Sequence, residues 1–535
     1  MDKSFYYDYF ALKGVDLEKW SQEFWWTIPR ETTTQITIDF KAEHCRLIEQ
    51  YGRTFEGDCL LIAYLISTRF AEAVNHYASI QKIRQAGWDL KYSDKLTLVP
   101  NLDGSRENVS FGFNSFKKTD YRKKRRIYNC LKSFELNFKN GRYGFQDQMI
   151  GQGTTISLGN TYSRRYAHDL DRWIRLESPG FLMDYSISEK PSPETRRLFS
   201  QFSNEMLAFA NKYMTRVFGM QLPQKVCNAL LAFSDDYLCD IAEAYSSMKK
   251  LAARKKIKHA LTCTAGSQYI RAFSTAVRNE GGKITGFPHG YFISHHSGSR
   301  LSFHELSTVD EFVSFFPGNI DLYRRNMALN PIPRNNKVEI LTDNTQDLKV
   351  IWDSYKAKPV PDKIKTVMLL ELSFISEWTG YYVADVMVNY QFYYELCKTL
   401  SRNGYNIIFK RRPKDISWEG LNIFENIPNL KITYGPFESP GVAEQADAVI
   451  VQYGCSSTLY YAMCTNRPVI YVDAGWEPWF PDVYKSLEKR CSILHCKYDE
   501  RNRTVFDEKE LIAILERKPE HPDMEFMEKY LFPEK

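Results

Sequence analysis

Three hydroxyl residues, Ser456, Ser457 and Thr458, stand in a row inside "VIVQYGCSSTLYYAMC" (449 to 464), where an apolar β-branched run gives way through Tyr453-Gly454 to helical spacing. A helix start leaves its first backbone N–H groups without partners, and one Ser or Thr cap satisfies only one or two of them. Further hydroxyls beside those N–H groups suit an anion, phosphate above all. Lys410, Arg411 and Arg412, followed by Pro413, end another apolar run, and such cations offer charge-assisted hydrogen bonds to phosphate or carboxylate oxygens. Other polar groups stand in equivalent places: Glu371 and Ser373 after 365 to 370, Tyr434 and Gly435 after 430 to 433, and His289-Gly290 after 283 to 287. Each has a plain structural alternative: a cap for the hydroxyls, a solvated strand edge for the cations, a packed turn for His289. Taken together they predict one phosphate-bearing ligand touched by several loops.

Those loops need elements to hold them. "KTVMLLELS" (365 to 373) reads as a strand, and "YYVADVMVNYQFYYELCKTLSRNGY" as a long amphipathic helix stopped at Gly404. Short apolar runs follow at 406 to 409, 430 to 433, 448 to 452 and 467 to 473, alternating with helical segments. This is the pattern of a parallel sheet covered on both faces, whose ligands sit beyond the carboxyl ends of the strands. A less regular alternation precedes it: "HALTCT" (259 to 264), a helical stretch, "KITGF" (283 to 287) and "DEFVSFF" (310 to 316). The Pro-, Asn- and Asp-rich stretch 330 to 363 reads as a connection. We therefore expect an α/β protein of two Rossmann-like domains facing across a cleft: residues 1–335 with additional N-terminal helical or irregular elements and the acceptor side, and 336–535 with the donor side.

Composition narrows the classes. With 535 residues the chain exceeds one ordinary core, and 43% hydrophobic and 25% charged residues are globular values. No apolar run approaches the ~20 residues that span a bilayer, and "MDKSFYYDYFALKG" lacks a signal-peptide core, so a cytoplasmic protein is expected. Eleven cysteines without a CxxC pair read as reduced thiols. The net charge of +6 is concentrated in "KKTDYRKKRR" (117 to 126) and "KKLAARKKIK" (249 to 258), blocks that suit a solvated helix face, an anionic membrane surface or a polyanionic glycan. Nucleic acid is not expected, since no RNA-binding or helix-turn-helix signature accompanies them. Neither GxxxxGK[ST] nor a strand-borne GxGxxG is present, which argues against a P-loop nucleotidase or a dinucleotide dehydrogenase. Ser234, Asp235 and Asp236 fall in a helical stretch and read as a cap or surface pair rather than a metal site.

Two Rossmann-like domains, His289-Gly290 in the first, a basic-Pro turn in the second and "SST" after "DAVIVQYGC" resemble bacterial GT-B glycosyltransferases of capsule and O-antigen assembly. The likeness runs over about 258 to 480 and is nearest to those using CMP-activated ulosonic acids such as Kdo, sialic or pseudaminic acid. The resemblance implies that Ser456, Ser457 and Thr458 bind a CMP-sugar donor, with Lys410, Arg411, Tyr434, Gly435, Glu371 and Ser373 beside them. Arg412-Pro413 stands where that family has His-Pro; an arginine holds phosphate permanently but delivers no proton. Arg412 is then expected to stabilise the leaving phosphate and His289 to be the candidate base. The expected activity is metal-independent transfer, without a cofactor beyond the donor, to a surface-glycan or lipid-linked acceptor, with possible peripheral contact at the inner face of the plasma membrane. Rival readings are a nucleotide-sugar epimerase, a CDP-glycerol-type polymerase and a non-catalytic protein that grips polyanionic glycans.

Overall fold

Val367, Met368, Leu369 and Leu370 are all buried, and so are Ala448, Val449, Ile450 and Val451. Runs of this kind, with no polar alternation, fit only a sheet covered on both faces. A computed structural model describes residues 3–93, 102, 155–158, 175–177, 190–263, 268–298, 301–335, 337–343, 345–370, 383–411, 424, 426–439, 441–454, 456–475 and 477–532. The basic block at 117 to 126 lies outside these residues.

Two short strands, β1 (Ser4–Tyr6) and β2 (Asp89–Lys91), pair in parallel near the start of the chain. The first large sheet contains β3 (Thr155–Leu158), β4 (Arg175–Glu177), β5 (His259–Cys263), β6 (Lys283–Phe287), β7 (Glu311–Ser314) and β8 (Glu339–Thr342), in the order β4-β3-β5-β6-β7-β8 and parallel throughout. The second contains β9 (Thr366–Leu370), β10 (Asn406–Arg411), β11 (Leu430–Tyr434), β12 (Ala448–Val451), β13 (Val469–Asp473), β14 (Ser492–Tyr498) and β15 (Thr504–Phe506), in the order β11-β10-β9-β12-β13-β14-β15. All its pairs are parallel except β14 with β15. Counted from its own first strand, this is the 3-2-1-4-5-6 order of dinucleotide-binding sheets plus one antiparallel strand, and its order reverses between β9 and β12. The expected α/β class with two Rossmann-like sheets is what the chain forms.

The first sheet carries a thick helical layer, including Arg30–Tyr51, Leu65–Gln85, Pro193–Phe218 and Gln224–Lys255. The helix Pro193–Phe218 starts on Ser192, whose Oγ accepts from Thr195 N, has Pro193 in its first turn and ends on left-handed Gly219. Asp235 lies well inside Gln224–Lys255 and is neither a cap nor a solvated surface pair: its carboxylate accepts from Ser200 Oγ at 3.0 Å and Ser203 Oγ at 2.8 Å across the two helices. Beneath them Arg271 is fully buried, donating to the carbonyls of Phe303 and Leu61. The stretch 330 to 363 is more than a connection. It holds β8, which extends the first sheet past residue 335, and the helix Asp347–Tyr355.

The chain start does not stay with the first sheet. Ser21 on the helix Leu17–Glu23 donates to Glu395 at 2.5 Å, Lys398 pairs with Glu18 at 2.5 Å, and Trp26 N donates to Arg501 O at 2.8 Å, all on the second half. The helix Glu525–Tyr530 crosses the other way. It presses the Lys529 carbonyl so closely on Gly318 that a β-carbon there would overlap it. No helix among the described residues is long and apolar enough to cross a membrane.

Candidate functional site

The register of the second sheet brings its strand ends level. Leu370 pairs with Lys410 on one side and with Val451 on the other, so the tips of β10 and β12 flank β9 at the same height, about 10 Å apart. Beyond Val451 the chain turns through Gln452, Tyr453 and Gly454. Gly454 N donates to Glu477 Oε1 at 3.0 Å, and a β-carbon on Gly454 would stand 2.5 Å from the Trp479 ring, so glycine is required by space. Ser456 then caps the helix Ser457–Met463: its backbone is extended and its Oγ accepts from Thr458 N at 3.2 Å. Ser457 Oγ and Thr458 Oγ1 form no hydrogen bond among the described residues. The helix has 7 residues, too short for a strong macrodipole, so its beginning offers N–H groups and two hydroxyls rather than a field.

Lys410 is 6% exposed, and its ammonium has no ion pair or hydrogen bond among the described residues. Burial draws it below the ordinary lysine range, with the charge of Glu438 opposing from a distance. Gly435 lies beside it, close enough that a β-carbon there would be 3.6 Å from Nζ. Arg411 is the next residue on the strand, so its side chain leaves the opposite face of the sheet. Its guanidinium sits 5.8 Å from the ring centroid of Tyr434, which is 41% exposed on the edge strand. Strand geometry thus places the neighbouring cations in two groups, Lys410 with Gly435 and Arg411 with Tyr434. Arg412, Glu371 and Ser373 lie outside the described residues.

From the first sheet, the turn after β6 reaches this edge. Pro288 and Gly290 are buried while His289 is exposed between them. A β-carbon on Gly290 would be 2.8 Å from Ser457 Oγ, so the His289 turn and the Ser456 to Thr458 start face each other across the two halves. A few residues on, His295 fixes that approach. Its Nδ1 lies 2.7 Å from Tyr460 Oη and its Nε2 3.2 Å from Asn319 Oδ1, its ring stacks on Tyr460 at 5.2 Å, and burial holds its pKa down at about 3. Ser297 N donates to Pro478 O at 2.8 Å, and Phe480 N to His295 O at 3.1 Å. Arg325 makes a two-pronged pair with Asp482, both contacts 2.8 Å.

Glu477 is the residue that sequence reading missed. Its carboxylate accepts from Gly454 N and, at 2.8 Å, from Tyr471 Oη, whose oxygen accepts from Trp479 Nε1 at 3.2 Å. It thereby holds the turn that precedes Ser456. The signal was available: "AGWEPW" follows a strand at the same carboxyl edge as the other polar loops.

No family model matches this chain, and no curated protein matches it. Several solved structures do, at a remote level. A UDP-N-acetylglucosamine 2-epimerase from Rickettsia bellii is 10% identical over 71% of this chain and 93% of its own, with a TM-score of 0.37. UGT2 of Phytolacca americana, solved with UDP-2-fluoro-glucose and pterostilbene, is 10% identical over 68% and 90%, with a TM-score of 0.32. The lipopolysaccharide outer core galactosyltransferase WaaB, in its apo form, is 11% identical over 60% and 80%, with a TM-score of 0.29.

Proposed function

We propose that this chain is a glycosyltransferase that moves a sugar from a nucleotide donor at the carboxyl edge of the second sheet to a glycan or lipid-linked acceptor approaching from the first. The observation that carries the reading is Lys410, whose side chain is largely buried and whose ammonium has no ion pair or hydrogen bond among the described residues, beside the point where the strand order reverses. Burying a cation is costly unless something pairs with it, and a donor phosphate supplies that partner. As the bond from sugar to phosphate breaks, charge grows on the phosphate. The Lys410 ammonium and the hydroxyls of Ser457 and Thr458 are the groups of this chain proposed to meet it. His289, exposed on the opposing lip, is proposed to take the proton of the acceptor hydroxyl. Arg411 has no part in this scheme, because it leaves the other face with Tyr434.

For the donor we propose a CMP-activated ulosonic acid, on the strength of the hydroxyl motif and the basic-Pro turn. Thermal shift of the intact chain with CMP, CDP, UDP and heparin tests both levels. A donor site is stabilised by mass action, and the expected order has CMP above UDP. UDP above CMP would remove the ulosonic acid and keep the transferase. Equal stabilisation by all three nucleotides and heparin, or by none, would overturn the reading.

A further inference from the structure

The helix Ser457–Met463 is where the His289 turn of the first half lands. Ser457 Oγ faces Gly290, Tyr460 Oη lies 2.7 Å from His295 Nδ1, and the Tyr461 ring meets Tyr291 edge-on at 5.7 Å. All three first-half residues stand just after His289 in the chain. Yet 7 residues are too few to hold a helix in water by themselves, so this seat needs something to fix it.

Arg490, the last residue of the helix Pro481–Arg490, closes on its far end. Its Nε donates to Met463 O at 2.9 Å, and its Nη2 lies 3.0 Å from Thr465 O, 3.3 Å from Arg467 O and 3.4 Å from Ala462 O. The side chain is 5% exposed and makes no ion pair among the described residues. Burying a guanidinium without a carboxylate is costly, and carbonyl oxygens offset that cost only while they stand fixed around it. Plain capping does not call for it: Cys464 N already donates to Tyr460 O, and Thr465 Oγ1 to Ala462 O at 2.8 Å. What the planar fork adds is position, because it ties the helix end, the turn after it and the approach to β13 to one rigid group.

We propose that Arg490 is a positioning residue: it fixes the helix Ser457–Met463 from behind and thereby sets how the His289 turn seats against the Lys410 edge. Its bond to Met463 lies about 9 Å along the helix from Ser457, so it acts through the helix and not on a ligand. That the two aligned groups are acceptor base and donor cation rests on the transferase reading above; the seating does not.

Hydrogen exchange of the intact chain, read by mass spectrometry in wild type, Arg490→Lys and Ile514→Val, tests it. Lysine keeps the charge but not the fork, so it serves fewer of the carbonyls. Ile514→Val trims a buried side chain of the helix Glu508–Glu516 in the same half and controls for general loss of stability. We expect Arg490→Lys to speed exchange about tenfold at 457 to 463 and, across the two halves, at 290 to 297, with β5 and β12 still protected and neither segment moved by the control. Donor turnover, read as CMP release from CMP-sialic acid, should fall about tenfold with CMP affinity kept within about twofold, a split that general destabilisation does not give. Exchange at 290 to 297 that is unchanged in a folded Arg490→Lys, or raised as much by Ile514→Val, overturns the assignment. If wild type releases no CMP, the CMP-donor reading falls while the exchange result still decides the seating. Should Arg490→Lys fail to fold, the coupling is read from the other side: Tyr460→Phe, which deletes the hydroxyl at His295, should speed exchange of the Arg490 Nε–H in NMR, and a wild-type rate there overturns the assignment.

Discussion

His295 and Lys410 stand near the facing edges of the two sheets, and burial pulls both basic groups below their ordinary pKa ranges. Their surroundings differ in one respect. Each ring nitrogen of His295 has a partner, Tyr460 or Asn319, and its ring is packed by Tyr460, Trp479, Phe526 and Tyr530. Lys410 is buried with no partner among the described residues. Desolvation costs both groups, but only for His295 do contacts within the free protein offset it. A buried polar group with filled contacts is scaffold, and one with empty contacts marks a place where something else binds.

Acid should break the scaffold side of this comparison with the largest effect. Burial lowers His295 to about 3, and His44 and His76 to about 4 each, against 6.5 in the unfolded chain. These imidazoles are neutral when folded and bind protons when unfolded. Their contribution is therefore complete above pH 6.5 and is lost as pH falls from there towards 4 and 3. One unit below 6.5 each should cost about 1.4 kcal/mol, or roughly 4 kcal/mol together. Urea unfolding at pH 7 and pH 5.5 measures it; equal midpoints would mean that the three rings are not neutral and buried.

The next effect belongs to His289. If it takes the acceptor proton, His289→Gln keeps a hydrogen-bond donor but should lose about 10²- to 10⁴-fold in turnover, with the Tm unmoved because the side chain is exposed. Wild-type turnover would return His289 to a turn residue. Lys410→Met follows, keeping an unbranched side chain while deleting the charge. Donor kcat/KM should fall by about 2 kcal/mol, and stability should hold or rise slightly, since an unpartnered buried cation is removed. A lowered Tm with nucleotide affinity intact would place Lys410 with His295 on the scaffold side.

How far the sequence reached follows the range of the forces involved. Five of the seven strands of the second sheet were legible to within a few residues, because 365 to 370, 406 to 409, 430 to 433, 448 to 452 and 467 to 473 are short apolar or alternating runs punctuated by turn residues, whereas β14 and β15 were not read from the sequence. β8 was hidden because it is a short edge strand with half-exposed side chains among polar neighbours, so no apolar run announced it. Strand order and register are nonlocal. Nothing near Lys410 says that it pairs with Leu370, or that Arg411 must leave the opposite face. Nor does any local pattern tell the helix Leu17–Glu23 to pack against Gln391 and Glu395 of the other half. The hydroxyl run was legible as a helix start, but its division of labour was not, since that depends on Gly290 arriving from the first sheet.

That division gives the smallest and sharpest test. Ser456 Oγ is engaged as the cap, accepting from Thr458 N, while the neighbouring Ser457 Oγ has no bond of its own and faces Gly290. Ser456→Ala should therefore lower stability by about 1 kcal/mol, the usual worth of a cap, and loosen donor binding only as far as the helix start frays. Ser457→Ala should leave the Tm within experimental error, since it empties no bond of the free protein and adds no bulk against Gly290. If its hydroxyl meets the donor phosphate, nucleotide affinity should nevertheless fall by about 1 kcal/mol, the net worth of one hydrogen bond. Paired melting and CMP titration of the two variants read both quantities. Stability loss in both with affinity kept in both would reduce the whole hydroxyl run to capping. The crossed result, stability lost at 456 and affinity lost at 457, would divide scaffold from site between two adjacent serines, as His295 and Lys410 divide it across the two sheets.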